Sequence, residues 1–383
     1  MTSGRVMLFA NTDWYLYNFR LNLACRLKDC GYEVILVSPD GRYRERLLAL
    51  GFRHIPLNFT ARGTNPFQEL RLLWRLLVLL RKERPDLLHN FTIKCMLYGS
   101  LAAWPGRIPV VNSVTGLGYV FIDSGIRSRL MRFVVRKFYR LVFARKSMTR
   151  VVFQNVDDLE YFVDSGMVCR ETARLIPGSG VDCRKFQPPA PIDPVLPLRV
   201  LFASRMLREK GVFELVAAAR ILKDRNIPLQ VVFAGESSMN DPTSLTPEEI
   251  AEIKCEGVVD YLGYVDDMPR LIGSCDLVVL PSYREGLPKI LLEAAAMGKP
   301  LIASDVPGCR GIVRHEVNGL LVPDRDEQAL AAAIETLALD DQLRRTYGHA
   351  GRQLVLQQFE ESRVLDSTLA VYQELAPVTD DQA

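Results

Sequence analysis

The sequence has few of the residues that build disulfide frameworks and metal sites. Its 383 residues include only four His and eight Cys, and no two Cys are spaced as C-x-x-C. The cysteines are Cys25, Cys30, Cys95, Cys169, Cys183, Cys255, Cys275 and Cys309. A disulfide scaffold or a structural zinc site is therefore not expected, and a reducing compartment is.

Long apolar segments are also absent. No apolar run approaches the roughly 20 residues that a bilayer-spanning helix needs. Met1–Arg5 leads directly into a predicted strand at Val6, which leaves no room for a signal peptide. With 48% hydrophobic and 24% charged residues, the composition is that of a soluble globular protein with room for two domains.

The net charge of +3 hides an uneven distribution along the chain. Residues 1–185 hold 29 Lys and Arg against 15 Asp and Glu, or +14, and the remainder holds 19 against 30, or −11. A basic half joined to an acidic half predicts that the first half faces a polyanion or an anionic membrane.

The apolar spacing of the first half alternates between strand and helix. Strands are predicted at 6–10, 33–38, 54–57, 86–89 and 109–114, and helices at 18–30, 42–50 and 66–82. The second half repeats this alternation, with strands predicted at 198–203, 229–234, 258–262, 277–280 and 300–304. Helices are predicted between and after them at 211–224, 247–255, 268–273, 289–297, 327–339 and 341–358. Such alternation predicts an α/β fold of two doubly wound Rossmann-like domains with a cleft between them.

The predicted division of the chain follows its prolines. Residues 187–197 contain five prolines and are predicted to be a linker. The first domain is then 1–186 and the second 198–360, and the helix within 361–383 is expected to return to the first domain before a short tail.

Two carboxylates eight residues apart, Glu285 and Glu293, mark the most informative motif. Glu285 falls in a loop between a predicted strand and a helix that begins after Pro288, and Glu293 falls inside that helix. Ligands of α/β proteins collect at the carboxyl ends of strands. The amides of the loop and first helical turn, including Gly286 and Leu287, can hold a diphosphate, with Glu293 on the same side to accept from ribose hydroxyls.

Other strand ends of the second half carry matching chemistry. Arg205 and Lys210 follow the first strand, where two cations can neutralise a diphosphate leaving group. Gly235 ends the next strand and allows close approach of a ligand. The segment around Tyr264 can offer backbone groups to a nucleobase edge. Simple turns or solvated loops remain alternatives for each of these segments taken alone.

These motifs resemble those of retaining GT-B glycosyltransferases of the group 4 type. The matching pieces are Ser204-Arg205 with Lys210-Gly211, Gly263-Tyr264-Val265, 281–288 through Glu293-Ala294, Gly298-Lys299-Pro300 and 318–322. The resemblance implies that Arg205 and Lys210 bind the donor diphosphate and that Glu293 holds the ribose. It also implies that Glu285 contacts the transferred sugar while the amides of Gly286 and Leu287 cap the phosphates, without a metal. Pro288 belongs to the same binding motif.

The first half resembles a narrower set, the bacterial enzymes that extend sugars on undecaprenyl diphosphate. The matching stretches are Tyr17-Asn18-Phe19-Arg20, Asn65-Pro66-Phe67, 116–123, Arg132-Phe133-Val134, Phe138-Tyr139 and, in the second half, Pro307-Gly308-Cys309. The resemblance implies ligand-binding roles for Asn18 and Gly118. One departure is Thr115, which stands where many relatives carry a His, so the resemblance assigns no acceptor-side catalytic residue.

Two basic segments of the first half are candidate membrane surfaces. Residues 124–150 hold nine Lys and Arg and no acid, with Arg129, Arg132, Arg136 and Arg140 on one helix face beside the apolar residues Leu130, Val134, Phe138 and Leu141. This pattern favours an anionic bilayer surface, and no nucleic-acid motif accompanies the charge. For 70–82 we expect Leu70, Leu73, Leu77 and Leu80 to pack in the core instead.

The function predicted from all this is retaining transfer of a hexose or N-acetylhexosamine from a UDP-sugar to a lipid-diphosphate-linked acceptor. The enzyme would need no metal or other cofactor, and would lie peripherally on the cytoplasmic face of a bacterial plasma membrane. A UDP-sugar 2-epimerase and a catalytically silent sugar-nucleotide-binding subunit remain alternatives. The former would need no acceptor, and the latter would release no UDP.

Overall fold

A computed structural model describes residues 4–60, 63, 65–116, 126–189, 197–237, 241 and 243–375, with the backbone alone for 126–131 and 134. The chain divides into two compact units, Met1–Ser179 with Val364–Ala383, and Gly180–Arg363. The predicted domain limit at 186 therefore differs from the observed one at 179. The reason is that Val181, Cys183 and Phe186 are buried in the core of the second unit.

The first unit is built on one parallel sheet. Its strands are β1 (Arg5–Phe9), β2 (Glu33–Ser38), β3 (Arg53–Pro56), β4 (Leu87–Phe91), β5 (Val110–Val114), β6 (Thr149–Phe153) and β7 (Ala173–Leu175). They lie in the order β3-β2-β1-β4-β5-β6-β7, so the strand order reverses direction between β1 and β4. Its helices are α1 (Asp13–Tyr15), α2 (Leu21–Asp29), α3 (Arg44–Ala49), α4 (Pro66–Glu83), α5 (Ile93–Ala103), α6 (Ile126–Val142) and α7 (Val156–Asp164).

Both faces of this sheet are covered, as the continuous apolar segments of β1 and β2 require. Val6 and Leu8 of β1 belong to a core with α2 and α3, whereas Met7 and Phe9 belong to a core with α4 and α5. Alternate residues of a strand point to opposite faces, so a strand buried on both sides is apolar throughout.

The second unit repeats the plan. Its strands are β8 (Leu198–Ala203), β9 (Leu229–Ala234), β10 (Val259–Tyr261), β11 (Leu277–Leu280), β12 (Leu301–Ser304) and β13 (Gly319–Val322). They form a parallel sheet in the order β10-β9-β8-β11-β12-β13. Its helices are α8 (Val212–Asp224), α9 (Pro247–Cys255), α10 (Met268–Gly273), α11 (Lys289–Ala296), α12 (Glu327–Leu339) and α13 (Asp341–Gln358). The predicted class, α/β with two doubly wound sheets, is confirmed.

The last helix, α14 (Glu361–Leu375), packs on the first unit from Val364 onward. The Tyr372 hydroxyl lies 2.6 Å from Nδ1 of the buried His89 on β4. Glu374 accepts hydrogen bonds from Arg150 on β6 and Arg174 on β7. The helix thus contributes both apolar and charged contacts to the unit that the chain enters first.

Helix α4 differs from its prediction. Leu72, Leu76 and Leu80 are buried against the sheet, whereas Leu70 is 65% exposed. The expectation that Leu70 packs in the core was wrong. The buried face follows the i, i+4 spacing of 72, 76 and 80, which turns position 70 outward.

Candidate functional site

Two loops meet at the carboxyl edge of the second sheet, one after β8 and one after β11. These strands are neighbours, and the strand order reverses direction between them. Gly211 has φ +75°, and a Cβ there would lie 2.1 Å from the Pro281 carbonyl oxygen. The Tyr283 N–H also donates to the Glu209 carbonyl oxygen at 2.9 Å. The two loops are therefore in direct backbone contact at the place where α/β sheets bind ligands.

This contact brings together Lys210 and Glu285, which the sequence analysis assigned to one site. Lys210 Nζ lies 2.5 Å from Glu285 Oε1, and the two side chains are only 16% and 12% exposed. The hydroxyl of fully buried Ser282 donates to the same carboxylate oxygen at 2.6 Å. The sequence analysis did not identify Ser282. Its only signal in the sequence is the Ser-x-x-Glu spacing in the loop.

Arg205 lies in the same β8 loop, with its side chain 59% exposed. Its guanidinium is 3.8 Å from Oδ2 of Asp241, a residue that the sequence analysis missed. The Thr243 N–H and hydroxyl both donate to Asp241 Oδ1, which fixes that carboxylate. Two cations, Arg205 and Lys210, thus lie at the end of one strand, and such a pair can compensate the charge of a diphosphate.

The loop 285–288 leads into the amino end of α11. Pro288 is the N-cap residue and provides no side-chain acceptor, and the positive end of the helix dipole lies here. Gly308 packs closely against the backbone of this loop. It has φ +83°, and a Cβ there would lie 2.6 Å from the Glu285 carbonyl oxygen and 2.5 Å from that of Gly286. The resulting backbone arrangement suits an anion.

Glu293 lies on α11 and is 8% exposed. Burial raises the pKa of its carboxyl above the ordinary value, although Lys289, at 3.7 Å, and Lys185 favour the charged form. A buried carboxylate with this little compensation is an unusual choice for a structural position. It is a strong acceptor for ligand hydroxyls.

Gly235 and the segment at Tyr264 continue the same edge of the sheet. The Gly235 N–H donates to the Gly263 carbonyl oxygen at 2.7 Å, and the Tyr261 hydroxyl donates to the Gly235 carbonyl oxygen at 2.8 Å. Tyr264 is 45% exposed, with its hydroxyl on Asp266. Apart from Glu293, which lies on α11, the predicted residues of the second unit lie in segments that follow the strands at one edge of the sheet.

The predicted residues of the first unit are less informative. Asn18 lies in a π-helical turn, and its side-chain amide donates to the Trp14 carbonyl oxygen at 2.9 Å. Gly118 falls outside the residues that the structure describes. Thr115 follows β5 and is half-buried.

A buried histidine does lie near Thr115 in the fold, on the strand that pairs with β5, but both of its ring nitrogens form hydrogen bonds. His89 on β4 places Nε2 2.7 Å from Ser113 Oγ, and its Nδ1 contacts Tyr372. Burial lowers its pKa well below the ordinary value, so the ring is neutral at physiological pH. With both ring nitrogens in hydrogen bonds, His89 does not replace the missing histidine as an accessible base.

Comparison with known proteins connects this edge to a family. Residues 193–354 match the family model described as "Glycosyl transferases group 1", and residues 5–155 match "Glycosyl transferase 4-like". A Campylobacter jejuni protein named N,N'-diacetylbacillosaminyl-diphospho-undecaprenol alpha-1,3-N-acetylgalactosaminyltransferase is 30% identical over 96% of this chain and 98% of its own length. The chain belongs to the group 1 glycosyltransferases.

Other relatives of this glycosyltransferase agree in fold and in class. An Escherichia coli protein named UDP-Gal:alpha-D-GlcNAc-diphosphoundecaprenol alpha-1,3-galactosyltransferase is 25% identical over 71% of each chain. The crystal structure of a Rickettsia africae glycosyltransferase has a TM-score of 0.77 at 20% identity, and covers 98% of this chain and 99% of its own. The Anabaena protein HepE, crystallised with UDP, has a TM-score of 0.75 at 18% identity, over 97% and 100%. The fold is GT-B.

Within the described ranges, no helix has both the length and the apolar character needed to cross a membrane. Among the same residues, no three His, Cys, Asp or Glu side chains are grouped as metal ligands would be.

The raised pKa of Glu293 predicts that the glycosyltransferase is destabilised by this residue at neutral pH. Between the ordinary pKa of 4.5 and the raised folded value, the folded state holds a proton that the unfolded state has released. The free energy of unfolding therefore falls as pH rises through that window, and the penalty persists above it. Glu293→Gln should have a higher unfolding midpoint than wild type at pH 7. Below the ordinary pKa of the carboxyl, the two proteins should have the same midpoint.

Chemical denaturation between pH 4 and pH 8 measures this effect. Glu252→Gln, at an exposed position on α9, is the control and should follow wild type at every pH. A Glu293→Gln protein less stable than wild type at pH 7 would contradict the assignment of Glu293 as a functional rather than a structural carboxylate.

Proposed function

We propose that this glycosyltransferase moves an N-acetylhexosamine from a UDP-sugar to an undecaprenyl-diphosphate-linked acceptor, with retention at the anomeric carbon and without a metal. The observation that carries the proposal is the contact of Lys210 with Glu285 at the amino end of α11. This contact places a cation that can stabilise the leaving diphosphate next to a carboxylate that can accept hydrogen bonds from the sugar hydroxyls. No cofactor beyond the donor is required.

The donor half of the proposal is electrostatic. Negative charge develops on the diphosphate as the bond to the sugar breaks, so Arg205, Lys210 and the amides of Gly286 and Leu287 stabilise the transition state more than the ground state. Glu293 binds the ribose, and the backbone near Gly235 and Tyr264 binds the base. The complex of HepE with UDP supports UDP as the nucleotide, because its chain shares this fold over nearly its whole length.

Retention follows a same-face course in this proposal. The bond from the anomeric carbon to the phosphate oxygen breaks, and the acceptor oxygen bonds to that carbon on the same face. The leaving phosphate takes the acceptor proton, so UDP is released and no protein nucleophile is needed. The two contacts that already hold Glu285 Oε1 support a binding role for this carboxylate.

The acceptor class rests on the relatives. The names of the Campylobacter jejuni and Escherichia coli proteins both specify a sugar on undecaprenyl diphosphate. The match to the first of these covers 96% of this chain, and so includes most of the basic first unit. We infer the same acceptor class, and an N-acetylhexosamine as the transferred sugar.

The test is transfer by the purified protein with EDTA present. A panel of UDP-sugars is incubated with a short-chain prenyl-diphosphate-linked sugar, UDP release is measured, and the anomeric configuration of the product is determined by NMR. Acceptor-dependent UDP release with an α-linked product is expected from an α-configured donor. Interconversion of UDP-sugar epimers without acceptor would identify an epimerase, and UDP-sugar binding without release would identify a silent subunit.

We further propose that the enzyme lies peripherally on the cytoplasmic face of a bacterial plasma membrane. Helix α6, at the centre of the basic segment 124–150, exposes Phe133, Phe138 and Leu141. Its Arg136 and Arg140 contact the neutral oxygens of Tyr161, Ser165 and Gly166. No described side chain of α6 forms an ion pair, so its positive charges are uncompensated within the described residues.

Helix α4 adds a second row to this proposed membrane surface. Phe67, Leu70, Trp74 and Val78 are 84%, 65%, 64% and 44% exposed. They follow one another at helical spacing, with Arg71, Arg75, Arg81 and Lys82 on the same helix. An exposed apolar row flanked by cations suits the boundary between anionic headgroups and acyl chains.

Vesicle binding provides the measurement for this surface. The protein should sediment with vesicles containing anionic lipid and much less with neutral ones. Trp74→Glu should weaken binding by roughly tenfold or more, because an indole that the bilayer would bury is replaced by a carboxylate that anionic lipids repel. Val156→Glu is the control, since Val156 is 56% exposed on α7 of the same unit. Equal binding by wild type and Trp74→Glu would exclude α4 from the surface.

A further inference from the structure

Ser282 lies in the centre of the loop that joins β11 to Glu285, and it is fully buried. Its hydroxyl donates to Glu285 Oε1 at 2.6 Å. A hydrogen bond to a charged acceptor is about twice as strong as a neutral one. This contact therefore contributes strongly to fixing the Glu285 carboxylate.

Ser282 and Lys210 contact the same oxygen of the carboxylate. Lys210 Nζ lies 2.5 Å from Oε1, and within the described residues Oε2 has no hydrogen-bond partner in the protein. Two donors on one oxygen fix the rotation of the carboxylate and leave the other oxygen for a ligand.

The two donors differ in how well they define a position. The lysine ammonium is a point charge on a flexible four-carbon stem. The serine hydroxyl has a single carbon between it and the backbone, and its residue lies two positions after the end of the buried strand β11. Only the serine can therefore keep Glu285 in place if Lys210 shifts toward a diphosphate.

We propose that Ser282 is a positioning residue, which orients Glu285 so that Oε2 receives the hydroxyls of the transferred sugar. This inference rests on the proposed function and adds a residue to it. Ser282 itself need not touch the sugar, and its effect should pass entirely through Glu285.

The test compares Ser282→Ala with Ser304→Ala. Ser304 is also fully buried and ends the next strand, β12, and its hydroxyl has no hydrogen-bond partner in the described part of the chain. Ser282→Ala should lower kcat/KM for the UDP-sugar by about tenfold, which is the value of a lost hydrogen bond to a charged group. Ser304→Ala should retain the wild-type value. Free UDP, which lacks the sugar, should bind both variants as it binds wild type.

A double-mutant cycle separates positioning from a merely structural role. In a Glu285→Ala background, adding Ser282→Ala should cause no further loss of kcat/KM. An unchanged kcat/KM in Ser282→Ala would overturn the inference, as would an equal loss in the Glu285→Ala background or a matching loss of UDP affinity. A wild-type protein that neither binds UDP nor transfers sugar would instead overturn the proposed function itself.

Discussion

Lys210→Ala is expected to lower kcat by on the order of 10²-fold or more, the usual cost of removing one preorganised group that stabilises transition-state charge. Lys210 is largely buried beside Glu285, so its charge acts where water screens it poorly. The affinity for UDP should fall as well, but by less than kcat, since charge on the diphosphate is greatest in the transition state. Steady-state kinetics and calorimetric titration with UDP measure the two effects.

Arg208→Ala is the matched control for this variant. Arg208 is a cation of the same loop, but its side chain is 50% exposed and paired with Glu249 on α9. Its removal should change kcat less than twofold, since exposed ion pairs contribute little. Lys210→Ala also removes the partner of a carboxylate, so its unfolding midpoint must be measured. A near-normal kcat in a folded Lys210→Ala protein would exclude the proposed phosphate site.

Gly211→Ala is expected to disrupt the second unit. The new Cβ would lie 2.1 Å from the Pro281 carbonyl oxygen, a backbone atom that cannot move without shifting the β11 loop. The positive φ adds about 1–2 kcal/mol of strain for a non-glycine residue. The steric overlap adds about as much again or more. The total is a large fraction of the stability of a typical domain.

Gly257→Ala separates the two contributions. Gly257 has φ +63°, but a Cβ added there would have no neighbouring atom within 4 Å, so only the conformational strain applies. Denaturant unfolding should show a loss of about 1 kcal/mol for Gly257→Ala and at least about 3 kcal/mol for Gly211→Ala. Equal losses in the two variants would show that the loops can separate without cost, and that the contact does not position Lys210.

The second unit was largely predictable from sequence. Strands β8, β9 and β11 and helices α9, α10, α12 and α13 begin and end where the spacing predicted. Strand β11 is a wholly buried apolar run, and β8 and β9 are apolar except for one polar residue near the start of each. Local sequence is enough to define such elements, because burial on both faces leaves few polar residues in them.

The first unit was less predictable, and α5 explains why. Its sequence, Ile93–Ala103, is apolar nearly all round and includes a glycine, so the helical period is weak. Strands β6 and β7 and helix α7 were not predicted either. Helix α4 had a clear period, but its long leucine-rich sequence offers more than one apolar face. Only contact with the sheet decides which of them is buried.

The residues of the candidate site likewise include some that could be predicted from the sequence and some that could not. Arg205, Lys210 and Glu285 were identifiable because charged residues at strand ends stand out in sequence. Glu293 was identifiable from its spacing of eight residues from Glu285. Asp241 and Ser282 were not, since their roles depend on contacts made across loops. The support that Gly308 gives to the Glu285 backbone likewise joins segments that no local pattern relates.

The return of α14 to the first unit has a consequence for synthesis on the ribosome. Val364, Val371 and Tyr372 are buried in the same core as β1 and β4, the strands that emerge early. That core remains open on one side until α14 has been translated and released from the ribosome. A nascent chain should therefore expose the surface around His89 throughout elongation, and a premature stop before codon 364 should leave an incomplete first unit even though residues 1–179 are present.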